Sequence, residues 1–141
     1  MSTPAPLSGE LRALVSDSLE RERQLARVYR VHMQAASSAR LRRLWDEGWT
    51  LKRAHDDVLT PVLAAGGPSA DSAHAAPSSP PSPREALSWA YDQERRLELQ
   101  YQDAVRLAQD EQTHRLLARL EEGQRGWIDR VRATYRDYST S

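Results

Sequence analysis

The chain has 141 residues, and its 20 basic and 20 acidic side chains give a formal net charge of zero, so no general attraction to nucleic acid or to an anionic membrane is expected. It has no cysteine, which excludes disulfides, thiol nucleophiles and iron–sulfur clusters. Its length suits one domain with a single core, and no apolar run approaches the roughly 20 residues that a membrane-spanning helix needs.

The N-terminal residues 1–6 are predicted to be flexible. Their sequence, Met-Ser-Thr-Pro-Ala-Pro, lacks the basic and apolar regions of a signal peptide, and we therefore expect a cytoplasmic location.

Residues 7–63 are predicted to form a first helical hairpin. One helix runs from about Leu7 to Ala36 and a second from about Leu41 to Leu63, with a turn at Ser37 and Ser38 between them. In both, apolar or small residues recur every three or four positions, the period of a bundle helix. We call the set of positions at this spacing the stripe of a helix. The stripe of the first helix is Leu11, Leu14, Ser18, Glu22, Leu25, Tyr29, His32 and Ala36, and that of the second is Leu41, Leu44, Gly48, Leu51, His55, Val58 and Val62.

Residues 64–82 form a predicted linker, because their sequence is rich in Gly, Pro, Ser and Ala. Gly66 and Gly67 are expected to end the second helix. Ser82 is expected to cap the next helix, with a proline at its first position and Glu85 completing a capping box.

Residues 83–138 are predicted to form a second hairpin, with one helix from Pro83 to about Gln109 and another from about Glu111 to Tyr138. The last three residues are expected to be disordered. The short, long, short pattern of connections predicts an all-α four-helix bundle in which residues 7–138 form one domain. Its two antiparallel hairpins would be joined by a long crossover linker. The two stripes are Ala86, Ala90, Glu94, Leu97, Tyr101, Ala104 and Ala108, and Leu116, Leu117, Leu120, Gln124, Trp127, Val131, Thr134 and Tyr138.

The two hairpins are internally repeated at an offset of 72 positions. Glu22 aligns with Glu94 and Tyr29 with Tyr101, so each half carries a glutamate at an equivalent depth, with a tyrosine two turns further on. An internal repeat of this kind constrains the architecture more strongly than local propensity does. Other identical pairs are Arg23/Arg95, Leu25/Leu97, Ala36/Ala108, Arg43/Arg115, Leu44/Leu116, Arg53/Arg125 and Asp57/Asp129.

This pattern resembles the rubrerythrin/ferritin-like superfamily over nearly all of the chain outside the linker and the tails. The resemblance rests on the segment ERQLARVY in the first helix and on EALSWAYDQERRLELQYQDAVRLAQDEQTHRLLARLEE in the second half. It implies a di-metal site in which two helices give one glutamate each and the other two give a Glu-x-x-His motif each.

Three of the six ligands that the resemblance implies are replaced. Glu22 and Glu94 match the single glutamates, and His55 matches one histidine. Lys52, the only lysine of the chain, stands where a glutamate is expected. The second motif carries Gln124 and Trp127 in place of glutamate and histidine.

We therefore expect no di-metal centre and no catalytic residue. An ammonium beside a divalent ion is electrostatically unfavourable and offers no lone pair. The sequence instead predicts a buried network in which Lys52 lies between Glu22 and Glu94, bridged by Gln124 and including His55. Tyr29, Tyr101 and Trp127 are expected nearby, and the tyrosines could bond into the network or into the opposite hairpin.

The leading functional hypothesis is a non-catalytic structural or protein-interaction module that has lost its di-iron centre. The alternative is a divergent metalloprotein, an oxidoreductase or a metal store, that holds one iron or manganese ion with Glu22, His55 and Glu94. A third possibility is a small-molecule pocket at the small positions of the stripes, although close helix packing is the preferred reading of them. Those positions are Gly48, Ala90, Ala104, Ala108 and Gly123.

The resemblance implies a homodimer or a protein partner. Trp45, Trp49, Tyr135 and Tyr138 are the candidate interface residues, although core or boundary packing is the first reading of the tryptophans. The remaining histidines, His32, His74 and His114, have no neighbour at a spacing useful for binding metal.

Overall fold

The computed structural model describes residues 7–64 and 82–139, and it confirms an all-α protein with four helices in this part of the chain. The helices are α1 (Gly9–Ala35), α2 (Ala39–Ala64), α3 (Pro83–Leu107) and α4 (Glu111–Ser139). The predictions for residues 1–6, for the glycine stop at 66 and 67 and for most of the linker lie outside the described residues.

Each of the four helices begins at a polar side chain that accepts a backbone N–H of the first turn. Ser8 Oγ accepts from Leu11 N at 3.4 Å, and Ser82 Oγ accepts from Glu85 N at 3.3 Å. Similar bonds of 3.2 and 3.0 Å are made by Ser38 at the start of α2 and by Asp110 at the start of α4. Such caps satisfy donors that have no partner inside the helix. The Ser82 cap was predicted.

Several predicted boundaries need correction. The second helix starts at Ala39 and not at Leu41, because Ser38 caps it. The third ends at Leu107, two residues before the predicted end, and Ala108 is its C-cap. Ala64, assigned to the linker, is the last residue of α2, and Ser139, assigned to a disordered tail, is the last residue of α4.

The helices enclose one core. Helix α1 packs along α2 and α3, and α3 packs along α4, whereas α2 and α4 touch at few places. Most of the core is aliphatic, and burying each large side chain contributes roughly 1.5–3 kcal/mol. Fully buried members include Tyr29, Leu59, Leu87, Leu97, Ala104, Leu117 and Val131.

The middle of the core is polar. Glu22, Lys52, Glu94 and Gln124 have no exposed surface, and each comes from a different helix. Buried charges are tolerated only when they are paired and hydrogen-bonded, so the partners of these four side chains decide whether the fold is stable.

Candidate functional site: a buried polar network

Lys52 is the centre of the network. Its Nζ donates to Glu94 Oε1 at 2.6 Å and to Glu22 Oε1 at 3.2 Å, so one ammonium is paired with both carboxylates. The third bond goes to Gln124 Oε1 at 3.0 Å. An ammonium has three N–H donors, and all three are used inside the protein.

Glu94 accepts four hydrogen bonds. Its Oε1 receives Lys52 Nζ and also Gln124 Nε2, the latter at 2.6 Å. Its Oε2 receives Tyr29 Oη at 2.5 Å and Trp127 Nε1 at 2.6 Å. A carboxylate offers about four acceptor sites, and those of Glu94 are all occupied by protein donors.

Glu22 accepts fewer bonds. Its Oε1 receives Lys52 Nζ and Tyr101 Oη, both within 3.2 Å. Its Oε2 lies 3.1 Å from His55 Nδ1. A carboxylate can only accept, so Nδ1 carries the proton in this contact, and Nε2 is left to face away from the network.

The bonds follow the 72-residue repeat. Tyr29 of the N-terminal half donates to Glu94 of the C-terminal half, and Tyr101 donates in return to Glu22. Within each half, the residue 33 positions after the glutamate, His55 or Trp127, bonds to that glutamate. The sequence analysis proposed two possible partners for the tyrosines, and the structure combines them: each bonds into the network by reaching a glutamate of the other half.

The charged forms of Glu22 and Lys52 stabilise each other. Burial by itself would raise the pKa of Glu22, but the charge of Lys52 and the hydrogen bond from His55 bring it below the ordinary value of 4.5. Burial would lower the pKa of Lys52, but the two carboxylates raise it above 10.5. Both residues are therefore ionised at neutral pH.

The two tyrosines remain protonated for a related reason. Burial and the negative charge of Glu94 raise the pKa of Tyr29 well above 10. Burial and Glu22 have the same effect on the pKa of Tyr101. Each phenol is thus kept as an O–H donor towards a carboxylate.

Aromatic rings enclose the polar atoms. The Tyr29 ring lies between Trp45, with centroids 5.3 Å apart, and Trp127, at 5.7 Å. Gly48 makes this packing possible, because a Cβ there would lie 2.5 Å from Trp127 Cζ2 and 2.9 Å from Tyr29 Cδ2. This position is therefore filled by neighbouring rings and does not open a pocket. Ala90 and Ala104 are also fully buried, so of the five proposed pocket positions only Gly123 lines a groove among those described.

The interface candidates are not equivalent. Trp45 is only 2% exposed, which corrects the expectation that it could present a surface to a partner. Trp49 is half-buried, and the guanidinium groups of Arg30 and Arg53 lie 5.7 and 5.0 Å from its ring centroid. Tyr135 and Tyr138 are also half-buried.

The remaining histidines lie apart from the network. His32 is buried against Trp45, with ring centroids 5.0 Å apart. Desolvation lowers the pKa of His32, so this ring packs in its neutral form at neutral pH. His114 is exposed, and His74 lies outside the described residues.

Two buried polar residues, Glu98 and Thr113, were missed by the sequence analysis, whereas the buried Ser18 was predicted to face inward. Glu98, 5% exposed, is paired with Arg95 on the same helix. Ser18 is fully buried, and its Oγ donates to the Leu14 carbonyl at 2.9 Å. Ser18 was in the predicted stripe, but Glu98 has no distinguishing signal because it is one of many charged residues beside the stripe.

Within residues 7–64 and 82–139, none of the helices has the length and apolar character that a membrane span requires. The same residues contain no group of three or more His, Asp or Glu side chains placed to hold a metal ion. Comparison with known proteins gives no family model, no curated protein and no solved structure that matches this chain.

Proposed function

We propose that this chain is a ferritin-like bundle whose di-metal position is occupied by an ammonium-centred network, and that it acts as a structural or protein-interaction module without redox chemistry. The observation that carries the proposal is the position of Lys52 Nζ, 2.6 and 3.2 Å from two glutamates on other helices. In a di-metal protein of this architecture, those glutamates would bridge or bind the metals.

The order of contacts along the helices supports antiparallel hairpins. Arg12 donates to the carbonyl of Leu63, near the start of α1 and the end of α2. Tyr29, near the end of α1, stacks on Trp45, near the start of α2. In the second half, Arg132 near the end of α4 lies over Tyr91 near the start of α3.

A crossover between the halves also fits the contacts. Tyr29 reaches Glu94 and Glu22 reaches Tyr101, so α1 and α3 run in opposite directions and α2 is parallel to α3. A chain that leaves α2 must then return along the bundle, over about 40 Å for a helix of this length. Residues 65–81 can extend over roughly 60 Å, which is enough for the ferritin-like connection.

The side chains of the network do not fit a metal ion. A carboxylate must offer a lone pair to a metal, but every acceptor site of Glu94 receives a protein hydrogen. An iron or manganese ion bound by Glu22, His55 and Glu94 would have to displace the Lys52 ammonium, whose own charge would then repel it. The alternative metalloprotein hypothesis therefore requires a different arrangement of this site.

Metal analysis tests the proposal. Purified after growth with added iron and manganese, the wild-type chain should contain neither in stoichiometric amount. The variant Lys52→Glu/Gln124→Glu/Trp127→His restores both Glu-x-x-His motifs, and it should take up two Co²⁺ or Fe²⁺ ions per chain. A wild-type protein with about two bound metal ions per chain would show that the proposal is wrong.

The single-metal alternative has its own test. If Glu22, Glu94 and His55 hold one ion, His55→Ala should abolish its uptake, while the exposed His114→Ala should leave it unchanged. Equal metal content in the wild type and in both variants would remove this alternative.

The interaction role is proposed for the surface around Trp49, with a second copy of the chain or another protein as partner. A half-exposed tryptophan between two arginines is the composition of interface hot spots. Light scattering after size exclusion should give a mass above 16.0 kDa for the wild type. The mass should fall to that of the monomer for Trp49→Ala and stay unchanged for the control Tyr91→Ala.

A further inference from the structure

An open groove runs between α2 and α4, which touch at few places. Its volume is about 990 Å³, the upper end of the range for small-molecule sites. Leu51 and Val58 of α2 and Leu116 and Leu120 of α4 give it an apolar lining. Val58 is 37% exposed, so this apolar surface is not covered by any described residue.

His55 connects the groove to the buried network. Its Nδ1 is bonded to Glu22 Oε2, and its Nε2 lies on the groove side, where a Cβ on Gly123 would be 3.5 Å away. The carboxylate holds the ring in place and leaves Nε2 as a polar atom available to a ligand. Gly123 leaves space in front of that nitrogen.

The groove is lined by two acids and two arginines, whose formal charges cancel but whose partners differ. Arg115 is paired with Glu111, and Asp110 accepts two hydrogen bonds from Thr113 at the start of α4. Arg119, one helical turn before Gly123, makes no hydrogen bond or ion pair with any residue in 7–64 and 82–139. Arg119 is therefore the charged side chain of the lining that has no partner among the described residues, and it lies on the same helix face as the open space before His55.

We propose that the α2/α4 groove binds an apolar carboxylate of medium chain length, with its head group between His55 Nε2 and Arg119 and its tail along the leucines. A carboxyl group and an imidazole nitrogen can share one proton in a hydrogen bond whichever of them carries it, and a guanidinium pairs with the same oxygens. Leu51 and Val58 lie about 10 Å apart along α2 with His55 between them, so the tail extends from the head group over Leu116 and Leu120 of the facing helix.

The chain supplies a matched pair of variants. Gly123→Ala places a methyl group in front of His55 Nε2 at an ordinary contact distance, so the fold should tolerate it while the head-group site is blocked. Gly126→Ala makes the same change on the same helix, with nothing within 4 Å. Both variants gain the same helix propensity, so a difference between them reports on the site.

Titration of the full-length chain with octanoate, followed by the ¹⁵N resonances of the histidine rings, tests the proposal. Octanoate should shift the His55 signals and saturate, whereas octylamine and acetate should not. Gly123→Ala should abolish the shift, and Gly126→Ala should leave it unchanged. Arg119→Gln should weaken binding about tenfold, since one charge-assisted bond is lost.

Three results would overturn the proposal. One is the absence of a saturable shift, and another is equal binding of octylamine, which would make the groove a non-selective apolar surface. The third is a groove closed by a second copy of the chain. In that case octanoate would not bind, and Arg119→Gln would change the molecular mass in light scattering. Iron or manganese bound at His55 would broaden its ring signals, so the metal content of the same sample is measured first. The metal content then tests the proposed function, and the octanoate titration of the metal-free protein tests the groove.

Discussion

Replacing Lys52 with methionine removes the only positive charge between two buried carboxylates. The side chains have similar length, so the cavity term is small, and the main effect is electrostatic. Breaking a buried ion pair by removing one partner costs about 3–5 kcal/mol. For a chain of this size, each kcal/mol lowers the melting temperature by roughly 3 °C. Lys52→Met should therefore melt about 10–15 °C below the wild type.

The pH dependence should change sign between the two proteins. In the wild type, the pKa of Glu22 is below its ordinary value of 4.5. Its contribution is complete above pH 4.5 and is lost as the pH falls through the folded pKa. In Lys52→Met, two unpaired buried carboxylates raise the pKa of the site. The folded variant then binds more protons than the unfolded chain, and its stability should rise as the pH falls from 7 towards 5.

Urea denaturation followed by circular dichroism at pH 7 and pH 5 measures both effects. Arg130→Met is the control, because Arg130 pairs with Glu47 on the surface with both side chains about half exposed, and such pairs contribute less than about 1 kcal/mol. The reasoning is refuted if Lys52→Met loses no more stability than Arg130→Met, or if it becomes less stable on acidification from pH 7 to pH 5.

Three further measurements probe the surroundings of the network. Gly48→Ala should destabilise the fold by about 1–3 kcal/mol in the same urea assay, because its methyl group would overlap Trp127 and Tyr29. Gly126→Ala should stabilise the fold by about 0.5–1 kcal/mol, since nothing lies within 4 Å of its methyl group. Effects of the same sign for the two variants would contradict this packing. Tyr29→Phe should cost about 1–3 kcal/mol, since a buried carboxylate loses a donor, and a change near zero would show that water replaces the phenol. In a spectrophotometric titration, two of the five tyrosines should ionise only as the fold opens at high pH. The reason is that burial and the neighbouring glutamates raise the pKa of Tyr29 and of Tyr101. If all five tyrosines ionise before the protein unfolds, these two side chains are not buried beside the glutamates.

The stripes of the helices predicted that Glu22, Glu94 and Gln124 face inward, and the repeat gives the first two the same depth. They did not predict Lys52, whose place in the centre was inferred from the resemblance to a Glu-x-x-His motif. In the second half of α2 the stripe was wrong by one residue, because Lys52, Leu59 and Leu63 are buried where Leu51, Val58 and Val62 were expected.

Properties that depend on the distance between helices could not be read from the sequence. Trp45 and Trp49 are one turn apart on α2, yet Trp45 is buried and Trp49 is half exposed. A small difference in the angle between two packed helices is enough to turn a side chain at the edge of the stripe towards or away from the neighbouring helix. The groove beside Gly123 likewise exists because α2 and α4 are loosely packed, and periodicity contains no information on that separation.

The exchanged tyrosine bonds make each half of the molecule incomplete by itself. Tyr29 serves an acid in the other half, and Tyr101 returns the same contact, so a chain severed between residues 65 and 81 would give two fragments that each lack a donor held by the other. Such fragments should recombine when mixed.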